Sequence, residues 1–185
     1  MSKILIVKDR DGNVFKDDPS DVVFHGEAAE LVTFEIPRGV TAIRAGAFAK
    51  LPELEKVIIP ASVTFVEGGA FSNCKNLKKI VFAEGRKPIE VQLSCFNGCT
   101  KLKSILFPKR LKKLTRLAEA HCPERCALTF LGNTKIYMFD GFFGGNFEKI
   151  DEEIGEDVTI RAFRGTMPVK FAKKYGFAFE EFAEK

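Results

Sequence analysis

Apolar residues recur along this chain in a fixed phrase. Leu31…Phe34-x-Ile36, Leu54…Val57-x-Ile59, Leu77…Ile80-x-Phe82 and Leu102…Ile105-x-Phe107 each read Leu-x-x-apolar-x-apolar. A longer phrase, Ile36-Pro37, Ala47-Phe48, Leu54, returns as Ile59-Pro60, Ala70-Phe71, Leu77, a period of about 23 residues. It returns again, slightly stretched, as Cys95-Phe96, Leu102 and Phe107-Pro108. Alternation inside each phrase predicts a strand with its apolar residues turned inward. The residues between them, Thr33, Glu35, Lys56, Ile58, Lys79, Val81, Ser104 and Leu106, then face outward. Pro37, Pro60 and Pro108 end three of these strands, because proline has no N–H for the next ladder hydrogen bond. A shorter apolar run follows, as in Val40…Ile43 and Val63…Val66, and the Ala-Phe turn or short helix closes the unit.

A unit of this size cannot bury its own apolar face, so repetition predicts a stack of coils. The expected architecture is a short, β-rich α/β solenoid whose repeats occupy residues 31–124. An N-terminal capping segment, 1–30, contains a hairpin of strands at 3–8 and 13–16 turned at Asp11-Gly12. Arg110 to Cys122 reads as a helix, with Leu111, Leu114, Leu117 and Ala118 on one face and Lys112, Lys113 and Arg116 on the other. Residues 125–157 read as an irregular or degenerate repeat with strand-like runs at 127–131 and 135–139. A C-terminal cap, 158–185, has a strand at 158–163, a helix to Tyr175 ended by Gly176 in a left-handed cap, and a strand at 177–180.

Composition adds one feature. Nineteen Phe against two Tyr and no Trp among 185 residues point to rings used for dry packing. The net charge of +4 calls for neither nucleic acid nor membrane. No run approaches the roughly 18 apolar residues of a bilayer span, and Met1–Asp9 lacks the apolar core of a secretory leader. With Met1 as the native start the expected location is the cytoplasm; if the chain is trimmed, it is the cell surface or the outside.

Candidate chemistry is sparse. Cys74 and Cys99 fall where Leu51 stands in the first repeat, and Cys95 falls where Ala47 and Ala70 stand. Positions that accept Leu, Ala or Cys are packing positions. His121-Cys122-Pro-Glu-Arg-Cys126 invites a zinc reading, but no second Cys/His pair completes a tetrahedral set. Gly141-Phe-Phe-Gly144-Gly145 lacks the Lys-Ser/Thr of a phosphate loop and reads as a turn. The basic stretch Lys101, Lys103, Lys109, Arg110, Lys112, Lys113, Arg116 contains no acid, but no aromatic is interleaved on its helix and the acidic run at 148–157 is available as an internal partner, which favours a solvated helix face over an acidic protein partner or nucleic acid. No cofactor, metal site or catalytic residue is expected.

The units resemble those of the BspA-type leucine-rich repeat family, most closely at Leu54-Glu-Lys-Val57-Ile-Ile59-Pro60-Ala-Ser-Val63-Thr-Phe-Val66-Glu-Gly-Gly-Ala70-Phe71-Ser-Asn-Cys74. The tail from Val158 through Tyr175-Gly176-Phe177 also resembles that family's closing segment. The resemblance implies a right-handed solenoid with a strand sheet on one side, and adhesion or protein binding, often at bacterial surfaces. The strand-face row Thr33, Glu35, Lys56, Ile58, Lys79, Val81, Ser104, Leu106 is therefore the expected binding surface, with Ile58, Val81 and Leu106 as an apolar ladder flanked by lysines. The expected function is a non-catalytic module that binds a protein partner. Two alternatives stand beside it: an enzyme or reactive thiol in the 120–146 region, through Cys122 or Cys126, and a self-assembling scaffold.

Overall fold

The structure is a computed structural model that describes residues 32–36, 38–115, 126–137 and 158–183. The hairpin expected at 3–8 and 13–16, His121, Cys122 and the loop at 141–145 lie outside the described residues. Within them the chain winds into a parallel β-solenoid. The first strands of successive coils are β1 (Thr33–Glu35), β3 (Lys56–Ile59), β5 (Lys79–Phe82), β7 (Ser104–Phe107) and β9 (Cys126–Phe130). The second strands are β2 (Ala42–Ile43), β4 (Phe65–Val66), β6 (Ile89–Gln92), β8 (Leu111–Thr115) and β10 (Lys135–Ile136). The second strands form one five-stranded sheet, ordered β10-β8-β6-β4-β2. The closing unit adds β11 (Val158–Phe163), helix α1 (Met167–Tyr175) and β12 (Ala178–Phe182).

Burial follows the predicted alternation. Phe34, Val57, Ile59, Ile80, Phe82, Ile105 and Phe107 are all buried between the two sides of the coil. Register is set by the repeat itself: Phe34 pairs with Val57 and Val57 with Ile80. A slip of one residue would turn that whole set to solvent. The Ala-Phe segments form the third side, as turns in the first coils and as a 3-10 helix at Leu93–Phe96.

The phenylalanines stack from coil to coil. Phe48 and Phe71 lie 5.3 Å apart at 10°, and Phe71 and Phe96 lie 5.7 Å apart at 20°. A second column joins Phe82 to Phe107 at 5.8 Å and Phe107 to Phe130 at 5.1 Å. Offset ring pairs of this kind contribute about 0.5–1.5 kcal/mol beyond area burial. The rings are packing elements, as the missing Trp and scarce Tyr suggested.

One predicted element is corrected. Residues 111–115 are a strand, β8, not the start of a helix. Leu111 pairs with Ile89 and Leu114 with Val91, with a register shift between Ile89 and Glu90. The bulge places two residues of one strand against one of the other. Leu111 and Leu114 therefore both point inward at a spacing of three, which mimics a helical face in the sequence.

The closing unit matches its sequence reading. Gly176 ends α1 at φ 76°, the left-handed value that a side chain would resist. The first free N–H of α1, on Met167, donates to Asn133 Oδ1 at 2.7 Å, so the last described coil caps the helix of the closing unit.

Candidate functional site

The outward residues of the first strands lie side by side on the solenoid surface. Thr33 stands opposite Lys56, and Lys56 opposite Lys79. One pleat further along, Glu35 stands opposite Ile58, and Ile58 opposite Val81. Thr33, Glu35, Lys79 and Ser104 are exposed, whereas Lys56, Ile58 and Val81 are half-buried. Leu106 is the most open large apolar side chain among the described residues, at 53% exposure. Six of the eight predicted residues thus form two rows on β1, β3 and β5, and Ser104 and Leu106 stand on β7, in the next sheet.

That face has a seam. β1, β3 and β5 form one sheet, while β7, β9, β11 and β12 form another. β5 and β7 adjoin without sharing a ladder, so the apolar row crosses from Val81 to Leu106 over a gap in backbone hydrogen bonding. The gap coincides with the stretched repeat, whose extra residues fall in the exposed turn at 84–88.

Arg110 braces that turn from within. It is 4% exposed, and its guanidinium donates to four backbone carbonyls: Val63 at 2.8 Å, Ala83 at 3.0 Å, Pro60 at 3.2 Å and Lys87 at 3.4 Å. Burial lowers its pKa, and nearby Glu84 opposes that shift. Arg110 therefore belongs to the interior, not to the solvated basic face read from the sequence. The other cations of that stretch are also dispersed. Lys101 donates to Asn76 Oδ1 at 2.6 Å, and Lys113 pairs with Glu90 at 2.8 Å and lies over the Tyr137 ring.

The described thiols are packed in the interior. Cys74, Cys95, Cys99 and Cys126 are buried and not joined in disulfides. The Cys74 thiol donates to Phe48 O at 3.0 Å and the Cys99 thiol to Phe71 O at 3.2 Å, each reaching back to the preceding coil. Burial pushes Cys99 up to about 12, with Cys74 adding to the shift. Burial also raises Cys74 and carries Cys95 well above the usual thiol range. Among the described residues, no three His, Cys, Asp or Glu converge as metal ligands, and no helix is long and apolar enough to cross a membrane.

A cavity of about 650 Å³ lies between the 131–133 turn and the closing unit, lined by Lys109, Leu131, Asn133, Phe163 and Phe182 among others. Gly132 lets that turn approach the preceding coil, since a Cβ there would stand 2.5 Å from Lys109 O. The described lining offers one amine, one carboxamide and the Thr166 hydroxyl against apolar side chains. Sequence reasoning missed both Arg110 and Asn133. Neither repeats, so the period carried no trace of them.

Comparison with known proteins agrees with this geometry. Residues 20–153 match the model of the BspA type leucine rich repeat region, in six copies. A leucine rich repeat protein of T. pallidum is similar in structure, with a TM-score of 0.52 and 21% identity over 71% of this chain and 58% of that one. A leucine rich cell surface protein of Faecalibacterium prausnitzii A2-165 gives a TM-score of 0.48 and 27% identity over 64% of this chain and 35% of that one. A leucine-rich repeat protein of Bacteroides ovatus gives 0.43 and 23% over 82% and 46%. The chain spans less than two thirds of the length of each. No curated protein matches it.

Proposed function

The chain belongs to the BspA-type leucine-rich repeat family, and we propose that it is a non-catalytic module that binds another protein through its strand face. The observation that carries this reading is the alignment of Ile58 with Val81 beside Lys56 and Lys79, with Leu106 exposed on the adjoining β7. Apolar surface held open and rimmed by charge is the pattern of an interaction site. On this reading residues 31–124 are the repeat body, flanked by the capping segment 1–30, the degenerate repeat 125–157 and the closing cap 158–185.

The test replaces the apolar row while keeping the strands. Thr retains the β-branched preference for strand, so Ile58→Thr/Val81→Thr/Leu106→Thr should stay folded. A partner captured by the wild-type chain and lost by this variant supports the strand face. Equal capture by the two places the interface elsewhere. Among the described residues no observation favours the thiol-enzyme alternative: Cys126 is buried within β9 at 1% exposure, and Cys122 lies outside them.

A further inference from the structure

Several charged residues that face each other on neighbouring strands and turns are matched in sign. Lys78 pairs with Glu55 at 2.6 Å, Lys113 with Glu90 at 2.8 Å, and Arg161 with Glu180 at 2.9 Å. Lys135 also stands opposite Lys113, but that amine is already held by Glu90. The strand face carries a like-charged pair. Lys56 stands directly opposite Lys79, and among the described residues no ion pair or hydrogen bond engages either amine. Like charges in directly opposed positions repel. Glu35 is the carboxylate on the outward rows of β1, β3 and β5, and it stands opposite Ile58, not opposite a lysine.

The unmatched pair runs beside the apolar row. Lys56 and Lys79 precede Ile58 and Val81 by one pleat, about 6.6 Å along the strands. Lys75 adds an exposed cation at a neighbouring turn. A ligand that fits must therefore present carboxylates along one edge and apolar groups along the other, both repeating with the coil spacing of about 4.8 Å. An α-helix with apolar residues at i, i+3 or i+4 and i+7 repeats about every 5.4 Å. It drifts by only about 1 Å across the two steps from Ile58 to Leu106. An extended peptide that presents alternate residues repeats about every 6.7 Å, and it drifts by nearly 4 Å. The seam between β5 and β7 interrupts the ladder in the same interval, where the Phe82 and Phe107 rings step 5.8 Å.

We propose that the partner of the strand face is an acidic amphipathic helix, laid along the solenoid axis with its apolar residues on Ile58, Val81 and Leu106 and its carboxylates on Lys56 and Lys79. This rests on the strand-face reading and adds the chemistry and shape of the occupant. The apolar row favours a protein helix over a polyanion such as nucleic acid, which would need the amines alone.

A random 16-residue peptide library, displayed on phage and selected on the full chain, tests it. Selected peptides should carry excess Asp and Glu with apolar residues at helical spacing. Lys56→Glu/Lys79→Glu should weaken them about tenfold or more, and the loss should reverse with peptides whose acids are changed to Lys. Ile58→Thr/Val81→Thr/Leu106→Thr should also abolish binding. If the selected peptides need the apolar row but ignore the lysine reversal, the strand face stands and the acidic helix is overturned. If they ignore the apolar row, they bind elsewhere and both readings fall. Displacement of the peptides by oligo-dT at equal charge, or selection of no peptide at all, also overturns the acidic helix. Far-ultraviolet circular dichroism on each variant establishes that the solenoid is intact.

Discussion

The Nη2 of Arg110 donates to the carbonyl oxygen of Pro60 at 3.2 Å, across 50 residues of sequence. Through this bond and those to Val63 and Ala83, one side chain ties three successive coils and holds the turn where the repeat is stretched. A buried carbonyl stripped of its donor loses its hydration without replacement.

Arg110→Met should therefore destabilise the chain by about 3 kcal/mol, since several charge-assisted hydrogen bonds end together. Lys should not rescue it, because one ammonium cannot span the fork of carbonyls that a guanidinium reaches. Urea denaturation of the three proteins checks both statements. A change below about 0.5 kcal/mol would mean that the brace is idle.

The phenylalanine column makes a graded prediction. Phe71 has a ring on either side, Phe48 and Phe96, whereas Phe96, at the end of the column, stacks on Phe71 alone among the described residues. Phe71→Ala should cost about 3–5 kcal/mol, and Phe96→Ala clearly less. Equal losses at the two positions, measured by thermal unfolding, would show that stacking within the column is not what they contribute.

Thiol labelling separates packing from chemistry. Cys74, Cys95 and Cys99 are buried with raised pKa values, so few thiolates form and fewer are reached. Iodoacetamide near neutral pH should leave all three unmodified in the native chain and modify them in urea, as read by peptide mass mapping. Rapid native labelling at Cys126 would instead revive the reactive-thiol alternative.

The closing unit should respond to acid. Lys173 donates a hydrogen bond to Glu181 at 2.6 Å, and with Arg164 beside it this holds the Glu181 carboxyl below its ordinary 4.5. A carboxyl depressed on folding contributes stability above its unfolded pKa and loses it as pH falls through the folded value. The melting-temperature advantage of the wild type over Glu181→Gln should thus be present near neutral pH and shrink below 4.5. An advantage that grew on acidification would contradict the sign.

How much of this was legible beforehand depends on whether a residue repeats. Phe34, Val57, Ile80 and Ile105 could be placed inward because alternation and period agree at each of them, and the same logic put Ile58, Val81 and Leu106 on one face. Leu111 and Leu114 misled because a bulge gives a strand the spacing of a helix. Arg110 looked like surface charge because its partners are backbone carbonyls, which carry no sequence signature. Asn133 is likewise visible only through the N–H it accepts from. The seam between β5 and β7 had a trace in the stretched repeat, but length alone does not say whether a longer turn breaks the ladder.

The most direct test of the strand face is affinity capture from native lysate and culture medium, with the wild-type chain beside Ile58→Thr/Val81→Thr/Leu106→Thr and matched circular dichroism spectra for both baits. A module that binds through this face predicts a protein retained by the wild type and absent from the folded variant. The same protein retained equally by both would contradict it.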